Sequence, residues 1–93
     1  MVLLKRLAEH ESMAELVETI LAIFRDELSV EVGEPDMDVI ETGLLDSLGL
    51  VALVVEIEHR CGVGIPFETL EVDDFRTVNS IARLVEHQRL ASA

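Results

Sequence analysis

Residues 44–62, LLDSLGLVALVVEIEHRCG, decide which class of fold this chain adopts. The middle of the stretch is nearly all apolar and rich in β-branched residues, a pattern that fits a buried strand as well as a helix. Its ends and its length favour a helix, because Asp46 or Ser47 can cap the start and Gly62 suits the position after a helix C-terminus. The stretch therefore predicts a helix over residues 47–61.

This predicted helix is apolar on more than one face. One set of side chains is expected to face the core: Leu53, Val54, Ile57 and Cys61. A second set, spaced three and four residues apart, forms what we call the apolar stripe: Leu48, Val51 and Val55. If the first set faces the core, the stripe is exposed, and an exposed apolar surface beside acids marks a site for a partner. The alternative is that the preceding loop covers the stripe.

The segment before this helix predicts another helix and a long connection. The sequence SMAE at residues 12–15 is a capping box, in which Ser12 and Glu15 satisfy each other's backbone N–H groups. Apolar residues with a 3.6-residue period follow, so a first helix is predicted over residues 12–28. Residues 29–46 then form a loop of unusual length, which is typical of a functional segment.

The segment after Pro66 predicts a short third helix within residues 67–75 and a last helix from its cap, Thr77, to about residue 89. The fold class is therefore all-α: a small four-helix bundle of three main helices and a short third helix, with a long first loop. The expected division of the chain is an N-terminal extension (1–11), one folded domain (12–89) and a C-terminal tail (90–93).

The charge of the chain limits the classes of partner. Seven basic residues stand against nineteen acidic ones in 93 residues, a net charge of −12. Nucleic acid is excluded as a partner, because its binding needs Lys and Arg to displace counterions from phosphates. We expect a monomer that meets basic protein surfaces, in the cytoplasm and without insertion into a membrane, since the one cysteine permits no internal disulfide and no apolar span is present.

No arrangement of residues points to catalysis. His59 lies twelve residues from Ser47, which is about 18 Å along a helix axis. His59 and Cys61 are two residues apart and do not face each other on a helix. No His/Cys cluster has the spacing of metal ligands. We therefore predict no catalytic residue, no metal site and no enzyme activity, which leaves Ser47 as an acceptor of a covalently attached group or as a helix cap.

The residues around Ser47 resemble the modification region of acyl and peptidyl carrier proteins. The Asp-Ser-Leu signature of that family is matched by Asp46, Ser47 and Leu48, and Gly43 and Leu44 match the approach to it. Ile65 and Pro66 match the Ile-Pro that follows the second helix. The helical layout is similar to that of the family from about residue 13 to residue 86.

The resemblance implies a specific chemistry. Ser47 would carry a 4′-phosphopantetheine arm, transferred from coenzyme A by a phosphopantetheinyl transferase, and residues 12–89 would be the carrier protein domain. The arm would hold cargo as a thioester. The expected partners are that transferase, an adenylating or acyltransferase loading enzyme, and downstream synthase or transferase enzymes. The residues expected to recognise them are Asp46, Leu48, Val51, Val55, Glu56, Glu58 and Ile65.

The sequence departs from the fatty-acid type of carrier, which usually has more acids along its second helix. Here Gly49, Leu50, Ala52 and His59 occupy such positions. The chain looks closer to stand-alone D-alanyl and aminoacyl carriers and to free-standing carriers of natural-product (polyketide or nonribosomal peptide) pathways. A fatty-acid carrier remains one alternative. The alternative of a different class is a non-enzymatic helical adaptor, in which the apolar stripe binds a partner and Ser47 only caps the helix.

Overall fold

The first helix, α1, spans Met13–Glu27 in the computed structural model, which describes residues 12–66, 68 and 70–92. The predicted capping box is confirmed: the Ser12 hydroxyl accepts the N–H of Glu15 at 3.2 Å, and the Glu15 carboxylate accepts the N–H of Ser12 at 3.4 Å. The predicted N-terminal extension, residues 1–11, lies outside the described residues.

The second helix, α2, spans Ser47–Cys61 with the predicted bounds. Its strand-like composition does not prevent helix formation, because both ends are capped and one face is buried. Asp46 caps the start, and Gly62 ends the helix in the left-handed conformation with φ of +67°. The Gly62 N–H donates to the carbonyl of Glu58 at 3.1 Å.

Gly62→Ala is expected to lower the free energy of unfolding by about 1 kcal/mol, because an L-residue with a Cβ is strained in the left-handed region. The cause is the backbone conformation alone, since no atom lies within 4 Å of the Cβ that alanine would add. Urea denaturation measures the effect. Gly64→Ala is the matched control, because Gly64 has the same open surroundings without a positive φ. Equal losses in both variants would contradict this explanation.

The remaining helices follow a second connection. A 3-10 helix spans Val72–Phe75, within the range predicted for the short third helix, and helix α3 spans Val78–Ser92. Thr77 caps α3 as predicted, since its hydroxyl accepts the N–H of Ser80 at 3.0 Å. The helix continues past the expected end at residue 89, so residues 90–92 form its last turn and are not a separate tail.

Among the described residues, one hydrophobic core joins these elements and no strand is present. Each helix and the 3-10 helix contribute side chains to it, and so do the two connections, through Val39, Leu45, Val63 and Ile65. The predicted all-α bundle is therefore confirmed, with the long first loop packed into the core by Val39 and Leu45. Among the described residues, no helix is long and apolar enough to cross a membrane.

Candidate functional site

At the start of α2, one residue caps the helix and a different residue offers a reactive group. The Asp46 carboxylate accepts the N–H of Gly49 at 2.7 Å, and the Asp46 carbonyl accepts the N–H of Leu50 at 2.8 Å. Ser47 is the first helical residue and is exposed. Within the described part of the chain its hydroxyl has no hydrogen-bond partner. The interpretation of Ser47 as the helix cap is therefore wrong.

Asp46→Ala is expected to lower the free energy of unfolding by about 1 kcal/mol, the usual cost of removing a helix N-cap. Asp46→Asn should keep nearly all of the stability, because an asparagine oxygen can accept the same N–H of Gly49. Urea denaturation of both variants checks this. If the two variants lose equal stability, the carboxylate acts through its charge and not as a cap.

Gly49 allows the cap to lie close to the helix. A Cβ at this position would lie 3.1 Å from Asp46 Oδ1 and 3.3 Å from Leu45 Cδ1, both tight contacts. Glycine within a helix costs about 1 kcal/mol relative to alanine. The close approach of the Asp46 carboxylate and the Leu45 side chain gives a packing reason for a residue that helix propensity disfavours.

The apolar stripe lies on the surface of α2. Leu48 is 83% exposed, Val51 is 51% exposed and Val55 is 54% exposed. The opposite face of α2 is buried through Leu53, Val54 and Ile57, as predicted. The long first loop packs elsewhere and does not cover the stripe, so the covered alternative is wrong. An apolar surface thus begins beside Ser47 and continues for two turns of α2.

The acids predicted to join this surface have partners within the protein. The Glu56 carboxylate forms an ion pair with Arg60 Nε at 3.1 Å. The half-buried Glu58 carboxylate accepts the N–H of Ile65 at 2.8 Å. Arg60 also reaches Glu27 at 3.1 Å, which ties the C-terminal turn of α1 to that of α2.

Ile65 does not belong to this surface. Its side chain is 3% exposed and lies in the core, because the hydrogen bond from its N–H to Glu58 holds the chain after α2 against the bundle. The prediction of a surface contact at Ile65 is therefore corrected to a role in packing. The exposed face of α2 next to Ser47 presents mainly apolar side chains.

Two residues that sequence reasoning missed organise the loop before Ser47. Asp38 Oδ1 accepts the N–H groups of Ile40 at 3.0 Å and Glu41 at 2.8 Å, and Asp38 Oδ2 pairs with Arg76 Nη1 at 3.3 Å. A weak signal was present in the sequence, since Asp favours such turns and Arg76 is the one base in an acidic stretch. The pairing itself spans 38 residues and has no local signature.

These contacts shift the pKa values of both side chains. The N–H of Glu41 is the main cause that lowers the pKa of Asp38 below its ordinary value of 3.8, partial burial opposes it, and the N–H of Ile40 and Arg76 lower it further. Hydrogen bonding to Asp73 is the main cause that raises the pKa of Arg76, and Asp38 adds to it. Both groups are therefore charged at neutral pH.

The start of α2 fits a covalently attached phosphate. The hydroxyl of Ser47 is accessible, and the first N–H groups of any helix lack partners within the helix. Those N–H groups and the helix dipole favour a negative charge at this end. A phosphodiester on Ser47 would thus meet favourable electrostatics, with Asp46 engaged in capping.

Comparisons with known proteins agree with this geometry. Residues 18–85, which include Ser47, match the family described as phosphopantetheine attachment site. The chain is similar to D-alanyl carrier proteins of Streptococcus sanguinis (strain SK36), Streptococcus gordonii (strain Challis) and Streptococcus thermophilus (strain LMD-9). Each is 36% identical over 78 residues, covering 84% of this chain and 95% of the relative. The match extends over most of both chains, and we conclude that this chain belongs to the phosphopantetheine attachment site family of carrier proteins, whose members carry 4′-phosphopantetheine.

Proposed function

We propose that Ser47 is the attachment point of 4′-phosphopantetheine and that the chain is a free-standing carrier, which presents an acyl or aminoacyl group to separate enzymes. The observation that carries this proposal is the exposed Ser47 hydroxyl. It does not cap the helix, because Asp46 provides the cap. A modifying enzyme needs this kind of access to its acceptor. The carrier itself supplies no catalytic group in this proposal.

The proposed modification is a phosphoryl-type transfer from coenzyme A. The Oγ atom of Ser47 forms a bond to the phosphorus that bears pantetheine, the anhydride bond of coenzyme A breaks, and the nucleotide portion leaves. The Ser47 proton passes to a base on the phosphopantetheinyl transferase. Once attached, the group supplies a terminal thiol, which holds the cargo as a thioester. Asp46 and Leu48 flank the acceptor and would help the transferase recognise it.

The cargo that we favour is an aminoacyl group, with D-alanine as the first candidate. The three similar proteins are named as D-alanyl carriers, which supports this type over the natural-product and fatty-acid alternatives. The face of α2 argues against the fatty-acid alternative, because it presents an apolar stripe where the fatty-acid type usually has acids. We propose that loading takes place in the cytoplasm, by an adenylating enzyme that uses the free amino acid.

We propose the apolar stripe, together with Asp46, as the docking surface for the partner enzymes. The stripe begins one residue after Ser47, so a partner seated on it lies beside the attached arm. Glu56 and Glu58 would contribute little, because they lie toward the end of α2 away from Ser47 and are engaged by Arg60 and the backbone of Ile65.

The test of the function is the intact mass of the protein after incubation with coenzyme A and a broad-specificity phosphopantetheinyl transferase. A gain of one phosphopantetheine on the folded protein is the expected result. The modified protein is then offered D-alanine, L-alanine or a short-chain fatty acid, each with ATP and a matching adenylating enzyme. Loading by D-alanine alone would support the D-alanyl type, and loading by the fatty acid alone would overturn it.

A further inference from the structure

The loop that leads to Ser47 is tied to the far side of the bundle by contacts between segments distant in sequence. The carbonyl of Arg76 accepts the N–H of Val39 at 2.7 Å, and the carbonyl of Val39 accepts the N–H of Leu45 at 2.8 Å. Val39 and Leu45 are both buried. Backbone hydrogen bonds thus connect Arg76 to Val39 and Val39 to Leu45. Arg76 directly precedes the cap of α3, Thr77, and Leu45 directly precedes the cap of α2, Asp46.

The ion pair between Asp38 and Arg76 lies at the start of this chain. Arg76 Nη1 and Asp38 Oδ2 are 3.3 Å apart, and the same carboxylate holds the turn at Ile40 and Glu41 through its other oxygen. The side chain of Arg76 and the backbone of Arg76 therefore hold two consecutive residues of the loop, Asp38 and Val39. Loss of the ion pair would remove one of the two contacts by which Arg76 holds the loop that leads to Leu45 and Asp46.

We propose that Asp38 and Arg76 are positioning residues for the modification of Ser47: their pairing holds the loop of residues 39–45 so that the transferase meets Asp46 and Ser47 in one fixed arrangement. The inference rests on the proposed function of Ser47. Neither residue needs to touch the transferase or coenzyme A. Their effect is on the fraction of carrier molecules that are ready to dock.

One substitution can remove the ion pair while keeping the turn that Asp38 holds. Asp38→Asn removes the charge that pairs with Arg76 but keeps an oxygen that can accept the N–H groups of Ile40 and Glu41, so the turn and the fold should persist. Arg76→Gln removes the same ion pair from the other side. Asp73→Asn is the matched control, because Asp73 also pairs with Arg76, while its described hydrogen bonds and ion pairs include none to residues 38–45.

The experiment measures the steady-state transfer of phosphopantetheine to each variant. Asp38→Asn should raise the KM for the carrier roughly fivefold with little change in kcat, because a smaller competent fraction lowers the apparent affinity in proportion. Arg76→Gln should match it, and the double variant should add nothing further, since both remove one interaction. Arg76→Lys should recover part of the loss, and Asp73→Asn should keep the wild-type KM.

Amide hydrogen exchange gives a second readout that does not depend on the transferase. The amide of Leu45 should exchange faster in Asp38→Asn than in wild type, while the amide of Ile20 in α1 should not change. Equal acceleration at both amides would indicate general destabilisation and would overturn the proposal.

The outcomes separate this inference from the proposed function. If wild type gains phosphopantetheine and Asp38→Asn has the same KM, the positioning role is wrong and the attachment site stands. If Asp73→Asn raises the KM as much as Asp38→Asn does, the effect is one of surface charge and the positioning role is again wrong. If folded wild type gains nothing, the proposed function fails and this inference fails with it.

Discussion

Ser47→Ala is expected to abolish the gain of one phosphopantetheine entirely, whereas the free energy of unfolding should change by no more than about 0.5 kcal/mol. The loss is complete because alanine has no oxygen that can form the phosphodiester. The stability is kept because Ser47 is exposed, Asp46 provides the cap, and alanine is a better helix former than serine. Intact mass and urea denaturation on the same preparation measure the two effects.

The control for this experiment is a second serine, outside α2. Ser29→Ala removes a hydroxyl in the first loop and should leave the gain in mass unchanged. Retained modification in Ser47→Ala would place the arm on another residue and would contradict the proposed site. Loss of modification together with unfolding would mean that Ser47 has a structural role, contrary to its exposed position.

Val51→Asp is expected to lower kcat/KM for loading of the modified carrier by at least about tenfold, which corresponds to about 1.4 kcal/mol. The reason is that a carboxylate in the middle of the apolar stripe would have to be desolvated without a partner when an enzyme docks. Val51 is half-exposed and makes no part of the core, so the fold should tolerate the change. Loading kinetics with the adenylating enzyme measure the effect.

Leu90→Asp is the matched control, because it adds the same charge at an exposed apolar position near the end of α3. It should load like wild type. Comparison of the two variants shows whether loading depends on the position of the added charge or only on the total charge of an already acidic protein. If both are impaired equally, long-range repulsion governs docking and the stripe is not the contact surface.

The salt dependence of loading distinguishes the apolar stripe from the acids of α2. Docking on the stripe should change little between low and physiological ionic strength, since screening acts on exposed charges over about 8–10 Å. A strong loss of loading with added salt, combined with normal loading of Val51→Asp, would instead assign docking to the acids of α2, Glu56 and Glu58.

Local chemistry by itself determined most of the helical framework. The capping box at Ser12 and Glu15, the hydroxyl of Thr77 and the glycine at position 62 act on backbone groups within a few residues, so their patterns are readable from the sequence. The period of apolar residues determined which face of α2 is buried for the same reason. The candidate attachment point was also readable from the chain alone, because the Asp-Ser-Leu signature is contiguous at residues 46–48.

Tertiary structure decided what surrounds that point. Two local candidates could cap α2, and only the placement of the backbone assigned the role to Asp46 and left Ser47 accessible. The sequence could not decide whether the first loop covers the stripe, because that depends on where Val39 and Leu45 enter the core. Ile65 turned inward, and Asp38 met Arg76, through contacts between segments that are separated in the chain. Such contacts depend on how the segments pack, which local propensity and periodicity do not specify.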